Sequence, residues 1–317
     1  MNAVFLDWAT MGPGLDTSGL HALLPDLKIF DVTEDHEVAA RIQNTQFVFT
    51  NKIRLTDKLL EHCSGLRFVG LTATGTDNVD LVAAKRHGVA VCNIRAYCNQ
   101  SVAEHVFACL LNLTHSIRQY TRDVRAGEWQ KSEDFCLLTH PVRELSAMTL
   151  GIVGYGELGK AVANTGASFG MDVIVSARPG SRDIKDGRVS FDELLTRSDV
   201  ISLHCPLNND TRKLIGADEL AKMKHDAILI NTARGGLVDS AALAAALRDG
   251  EIAAAAVDVL PEEPPVHGDP LLDYAGDNLI VTPHIAWATN EARQAAVDEL
   301  TANIAAYLEG GERNRVV

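Results

Sequence analysis

The chain has 317 residues, 46% of them apolar, and a formal net charge of -13 at pH 7. That length allows two domains with sizeable cores, the lack of any apolar run of 18 residues excludes a spanning helix, and the acidic balance argues against nucleic acid as a partner. It leaves room for a small anionic ligand, which needs only one local positive group.

The N-terminal stretch, Met1-Asn-Ala-Val-Phe-Leu-Asp7, has neither the basic end nor the long apolar core of a secretory signal. It reads as a first strand, and a cytoplasmic location with no membrane contact is expected. Up to about residue 98, short apolar strands at 3–6, 27–30, 47–50, 68–71 and 89–92 alternate with helical stretches such as 56–63 and 81–86. After the fourth strand, Thr72-Ala-Thr-Gly-Thr-Asp77 sets small residues and free N–H groups where α/β sheets bind ligands. The alternative is a plain loop closed by a helix cap at Asp77.

Residues 101–125 read as one long helix ended by Gly127. Val102, Val106, Phe107, Leu110, Leu111 and Leu113 make it too apolar for a solvated face, so burial by something beyond its own domain is expected. Trp129, Phe135 and Cys136 follow in an irregular segment that suits a subunit interface, although a contact between domains would give the same pattern. A homodimer through residues 101–147 is expected.

At 150–153 an apolar strand stops at Gly154-x-Gly156-x-x-Gly159, and residues 160–169 continue as a helix. One glycine makes the tight turn, one lets the backbone approach a pyrophosphate, and one lets the helix pack on the strand, with the helix N-terminus facing the anion. This predicts a dinucleotide site at Gly154, Tyr155, Gly156, Glu157, Leu158 and Gly159. The next strand, 173–175, normally ends in an acid that binds the adenosine ribose and repels a 2'-phosphate. Here Asp172 precedes that strand at its wrong end, and the aligned position is Ala177. Arg178, with Arg182 and the Ser176 hydroxyl, could instead pair with the phosphate. NADP(H) is therefore expected in preference to NAD(H), which stays permitted if those arginines are only solvated charges.

Further apolar strands at 200–206, 227–233, 253–259 and 278–283 complete a second parallel sheet. Three of their loops carry candidate chemistry: Arg234 in Asn231-Thr-Ala-Arg-Gly-Gly236, a carboxylate in Asp258-Val-Leu-Pro-Glu-Glu-Pro264, and His284 in Val281-Thr-Pro-His-Ile-Ala-Trp287. Together they make a carboxylate clamp with an acid–base pair. The last helix, 290–308, is expected to return to the first domain, giving a discontinuous domain of 1–98 and 287–317 around a dinucleotide domain of 99–286. The cysteines (Cys63, Cys92, Cys98, Cys109, Cys136 and Cys205) lack C-x-x-C spacing, so reduced thiols and no metal site are expected.

The combination of Gly154-x-Gly156-x-x-Gly159, Asn231-Thr-Ala-Arg-Gly-Gly236, Asp258-Val and Pro283-His284 resembles the D-specific 2-hydroxyacid dehydrogenase family over nearly the whole chain. Thr72-Ala-Thr-Gly-Thr-Asp-Asn-Val-Asp80, Phe135-Cys136 and His284-Ile-Ala-Trp287 look like its glycerate dehydrogenase (hydroxypyruvate or glyoxylate reductase) branch. The resemblance implies two doubly wound parallel-sheet domains, a Rossmann coenzyme domain and a flavodoxin-like substrate domain. It makes Arg234, Glu263 and His284 catalytic, Glu263 rather than Glu262 matching the Glu-Pro pair. It gives the cofactor Cys205, Pro206, Thr232, Ala233, Asp258 (at the nicotinamide carboxamide) and His284 besides the glycine loop, Ser176 and Arg178. The substrate, a small 2-keto or 2-hydroxy acid, falls to Asn51, the amides of Thr74 and Gly75, and Arg234. Tyr97-Cys-Asn-Gln-Ser-Val-Ala-Glu-His105 is also similar to formate dehydrogenases, in which an amide replaces the histidine's carboxylate partner; Glu263 argues against that. A nucleotide-sensing corepressor of the C-terminal-binding type shares the triad and is the rival from a non-enzymatic class.

Overall fold

The computed structural model describes every residue except Arg182, Asp183 and Asp186. Its strands are β1 (Ala3–Phe5), β2 (Leu27–Ile29), β3 (Phe47–Thr50), β4 (Phe68–Leu71), β5 (Ala90–Cys92), β6 (Thr149–Val153), β7 (Asp172–Val175), β8 (Val200–Leu203), β9 (Ile228–Asn231), β10 (Ala254–Val257) and β11 (Leu279–Val281). Its α-helices are α1 (Ser18–Leu23), α2 (Asp35–Ile42), α3 (Asp57–Glu61), α4 (Leu81–Arg86), α5 (Asn99–Thr114), α6 (Ile117–Arg125), α7 (Glu157–Ser168), α8 (Phe191–Arg197), α9 (Ala217–Leu220), α10 (Ser240–Asp249) and α11 (Asn290–Leu308). Among the described residues none of these is long and apolar enough to cross a membrane.

The chain divides into two units, Met1–Cys98 with Ala288–Val317, and Asn99–Trp287. Trp287 falls in the second unit rather than the first. The turn before it is tied there, with the Ala286 N–H on the Asp258 carboxylate and the Ala286 carbonyl on the Ser101 hydroxyl.

The first unit is a parallel sheet in the order β2-β1-β3-β4-β5. β3 and β4 are buried at every position, which is why they read as unbroken apolar runs. α11 packs on this sheet through Ala296, Val297, Leu300 and Ile304, and each of the larger ones contributes about 2 kcal/mol by its burial. Gly70 on β4 makes room for it: a Cβ there would lie 2.5 Å from a Leu300 methyl and 2.9 Å from the Phe49 ring. The Asn303 amide, buried on the same face, donates to the Asn93 carbonyl at 2.8 Å. The cap of α4 is Asp80, whose carboxylate accepts from the Ala83 N–H at 2.9 Å; Asp77 stands three residues too early to cap.

The second unit is a parallel sheet in the order β11-β10-β9-β8-β6-β7. Both units are thus doubly wound α/β folds, and the strand order of the second reverses between β6 and β8, where such sheets bind ligands. A lone parallel bridge between Ser176 and Val189 continues the sheet beyond the end of β7. Asp172 is the first residue of β7, paired with Thr149, so it lies inside the strand but still at the end away from the glycine loop.

The single helix expected at 101–125 is two. The chain turns at Ser116, which takes a left-handed conformation (φ 49°) and donates its hydroxyl to the Pro141 carbonyl at 2.8 Å. α5 is buried within its own unit: it packs on α7, with Phe107 and Phe169 stacked at 5.1 Å. α6 has no buried residue, and the exposed apolar side chains are Ile117 and Val124 on it and Trp129, Phe135, Leu138 and Val142 beyond it.

Candidate active site

The glycine loop has the geometry that its spacing predicts. Gly154 turns at φ 93°, and a Cβ on it would lie 2.5 Å from the Cys205 nitrogen. A Cβ on Gly159 would lie 2.0 Å from the Gly154 carbonyl oxygen, so the helix can approach the strand only with glycine there. Gly156 faces open space, and no side chain caps α7, so the N–H groups of its first turn stay free for an anion. The Thr232 hydroxyl, between β9 and Arg234, is buried without a partner. Bare helix N–H groups, a clear approach at Gly156 and an unpaired hydroxyl fit a dinucleotide.

Beyond β7 the arrangement is more occupied than the sequence suggests. The Ser176 hydroxyl donates to the Ala177 carbonyl at 2.5 Å, and Arg178 is paired with Asp210 at 3.4 Å, both side chains well exposed. Arg182 lies outside the described residues. A further cation, Arg188, donates to the Ser176 carbonyl at 3.2 Å and stands 4.7 Å over the Tyr155 ring. It follows no motif, and only the Ser176–Val189 bridge brings it to this edge.

The three loops at the ends of β9, β10 and β11 are built on one another. Asn231 organises the first, accepting the Ala233 N–H at 3.1 Å and donating to the Arg234 carbonyl at 3.0 Å. Arg234 is half-buried, with one guanidinium nitrogen on the Ala233 carbonyl at 2.8 Å. Gly235 is obligatory because a Cβ would lie 2.0 Å from the Leu260 carbonyl carbon, in the loop that leads to Glu263.

Glu263 uses one oxygen on the Leu260 N–H at 2.9 Å and the other on His284 Nδ1 at 2.6 Å. A carboxylate can only accept, so Nδ1 carries a proton and Nε2 is the free nitrogen of the ring. His284 itself sits in the left-handed region at φ 57°, which few non-glycine residues adopt. Its N–H is shared between the carbonyls of Asp258 (2.7 Å) and Thr282 (3.0 Å). The Asp258 carboxylate, only 2% exposed, accepts the Ile285 N–H at 2.9 Å, the Ala286 N–H at 2.8 Å and the Thr282 hydroxyl at 2.5 Å. Its second oxygen still has a lone pair for another donor. Asp258, Glu263 and His284 share a cavity of about 450 Å³ with apolar walls from Leu260, Pro264 and Leu272.

In the first unit, Asn51 is fixed by Asp7. That buried carboxylate accepts the N–H groups of Asn51 (2.9 Å) and Lys52 (2.7 Å) and the Thr50 hydroxyl (3.0 Å). Thr74 is exposed and Gly75 partly so, and the Thr74 carbonyl is held by the Asn93 amide at 2.8 Å.

Residues 107–286 match the family described as D-isomer specific 2-hydroxyacid dehydrogenase, NAD binding domain. The chain is 45% identical over 282 residues to a glycerate dehydrogenase of Methylorubrum extorquens, covering 88% of each. It is 37% identical to a hydroxypyruvate reductase of Blautia hydrogenotrophica, covering 100% of this chain and 99% of that one. Among solved structures, an acyclic imino acid reductase (Bsp5) in complex with NADPH and D-Arg superposes with a TM-score of 0.88 at 30% identity over the full length of both chains. The chain belongs to the D-isomer-specific 2-hydroxyacid dehydrogenase family, and is an oxidoreductase of that kind.

One buried group beside the glycine loop sets a pH limit. His204 keeps some surface, but its Nδ1 is covered and unpaired while Nε2 meets the Ser202 hydroxyl at 2.8 Å, and burial pushes the imidazole down to about 4. The unfolded chain takes up this proton near pH 6.5 and the folded protein does not, so stability falls as pH drops from about 6.5 toward 4 and is unaffected above that window. About 2 kcal/mol should be gone by pH 5. Denaturant unfolding of His204→Gln, which has no proton to take up, is expected to show a flatter pH 7-to-5 slope than the parent; equal slopes would mean that the ring is protonated in the folded state.

Proposed function

We propose that the chain is a cytoplasmic enzyme that reduces a small 2-keto acid of the hydroxypyruvate or glyoxylate kind to D-glycerate or glycolate, by hydride transfer from a nicotinamide dinucleotide. The observation that carries this reading is His284 bound through Nδ1 to Glu263 at 2.6 Å; relatives named glycerate dehydrogenase and hydroxypyruvate reductase support it. Adding hydride to a carbonyl carbon leaves negative charge on its oxygen, so the site must deliver a proton there and hold the carboxylate still. The hydride is what a bound reduced nicotinamide supplies. His284 delivers the proton from Nε2, Glu263 fixes the tautomer and orientation of the ring, and the planar fork of Arg234 grips carboxylate and carbonyl oxygen. For Asn51 and the amides of Thr74 and Gly75, in the first unit, the proposed role is to bind the substrate carboxylate. Formate oxidation moves no proton, and a carboxylate at 263 favours the keto-acid reading over it.

His284→Ala is expected to lower hydroxypyruvate reduction by about two to four orders of magnitude with cofactor binding nearly intact. Arg234→Ala should raise KM and lower kcat together. Steady-state kinetics with a parallel cofactor titration checks both; near-normal turnover by the histidine variant would remove the acid–base assignment, and a parent protein inert toward every 2-keto acid would favour the corepressor reading.

For the cofactor we propose NADP(H) in preference to NAD(H). The position after β7 that normally holds an acid is Ala177, while Arg178 and Arg188 lie at the same edge. A charge-assisted contact is worth about 1.5–3 kcal/mol, so Arg178→Ala should weaken NADPH about 10- to 100-fold and hardly touch NADH. Equal efficiency of the parent with the two reduced cofactors would overturn the preference.

We also propose a homodimer through residues 101–147, supported by the exposure of Trp129, Phe135, Leu138 and Val142, Phe135 at 90%. Sedimentation at micromolar concentration should return the mass of a dimer, and a monomer there would refute it.

A further inference from the structure

Of the histidines that the proposed reaction does not use, His105 is the one that reaches Asp258. His105 lies on α5, yet its Nε2 is 3.1 Å from the Thr282 hydroxyl and 3.7 Å from Asp258 Oδ1, with the Cys109 thiol at 3.7 Å. The protons along this line can be assigned by elimination. The Asp258 carboxylate only accepts, and both its oxygens already receive backbone N–H groups, Oδ1 from Ile285 and Oδ2 from Ala286. Thr282 therefore donates its one proton to Oδ1, at 2.5 Å, and its oxygen is left as an acceptor. Nε2 of His105 must then carry the proton that this oxygen accepts.

We infer that His105 is a positioning residue for the active site. Its Nε2–H fixes the Thr282 hydroxyl, the hydroxyl fixes the Asp258 carboxylate, and the carboxylate holds the backbone N–H groups of Ile285 and Ala286, directly after His284. The left-handed turn at His284 persists only where its surroundings over-determine it, and this relay is one of the constraints that do so. Each bond in the line polarises the next, so the hydroxyl is a better donor to Asp258 when it also accepts from the imidazole. The catalytic consequence rests on His284 being the acid–base group; the relay itself does not.

The test uses two pairs of variants of the full-length protein. His105→Leu and Thr282→Val delete a donor at similar bulk, while His105→Gln and Thr282→Ser keep one. The deletions should lower kcat for hydroxypyruvate about 10- to 100-fold with KM for the keto acid little changed, because a small misplacement of a reacting group costs rate rather than affinity. The conservative pair should recover most of that loss, and His105→Leu combined with Thr282→Val should be no worse than the worse single change. Amide hydrogen exchange, which needs no turnover, should speed up at Ile285 and Ala286 in both deletions and stay at the parent rate in His105→Gln. The relay is overturned if His105→Gln falls as far as His105→Leu, if the double variant is additive, or if exchange at those amides is unchanged. Should the parent reduce no keto acid, the functional reading fails while the exchange data still decide the relay.

Discussion

The buried carboxylate of Asp258 is the constraint on which the site depends. Buried and without donors, it would be costly; the N–H groups of a tight turn left without acceptors would be costly too. Each answers the other: Ile285 and Ala286 give their N–H groups to the carboxylate, and the His284 N–H goes to the Asp258 carbonyl. A left-handed, non-glycine residue costs about 1–3 kcal/mol, and a single hydrogen bond to a charged acceptor contributes a similar amount. Two such bonds and a shared N–H therefore suffice to hold His284 in a conformation that a free chain would avoid.

The register of the sheet explains why these groups meet. Val257 on β10 pairs with Asn231 on β9 and with Val281 on β11, so the three strands end at one level. The next residues then extend the ladder by one more bond each, the Asp258 N–H to the Asn231 carbonyl and the Thr282 N–H to the Val257 carbonyl. Arg234, Asp258 and His284 are thereby delivered to the same edge by backbone pairing alone. Slipping β11 by one residue would turn its side chains to the other face and take Thr282 away from Asp258.

This hierarchy also explains what could be read from the chain and what could not. Parallel strands buried on both faces leave unbroken apolar runs, and glycines that pass under a backbone leave fixed spacings, so both sheets and the dinucleotide loop were legible, whereas Glu263 as the partner of His284 came from the family resemblance alone. A bend at a left-handed serine leaves no such mark, since nothing in Thr114-His-Ser116 requires positive φ, and the helix of 101–125 therefore looked continuous. The apolar surplus of α5 looked like a partner's footprint because only the fold reveals α7 beside it. His105, Thr282 and Arg188 act through neighbours more than ten residues away in the chain, beyond the reach of any periodicity.

Charge poses the remaining question, because a chain of net charge -13 is proposed to bind two anions. Long-range attraction cannot be the means. At physiological ionic strength, however, charges more than about 8 Å away are largely screened, so the acidic surface as a whole weighs little on a ligand already in place. What counts there is the local donor set: the uncapped N–H groups of α7, with Gly156 keeping the approach clear, the Thr232 hydroxyl, and the guanidinium of Arg234. Neutral dipoles and one fixed cation, partly withdrawn from water, can hold an anion that the net charge would repel at a distance. Under the proposed preference for NADP(H), selectivity on such a surface falls to the few positions where an acid is missing, and Ala177 is one of them.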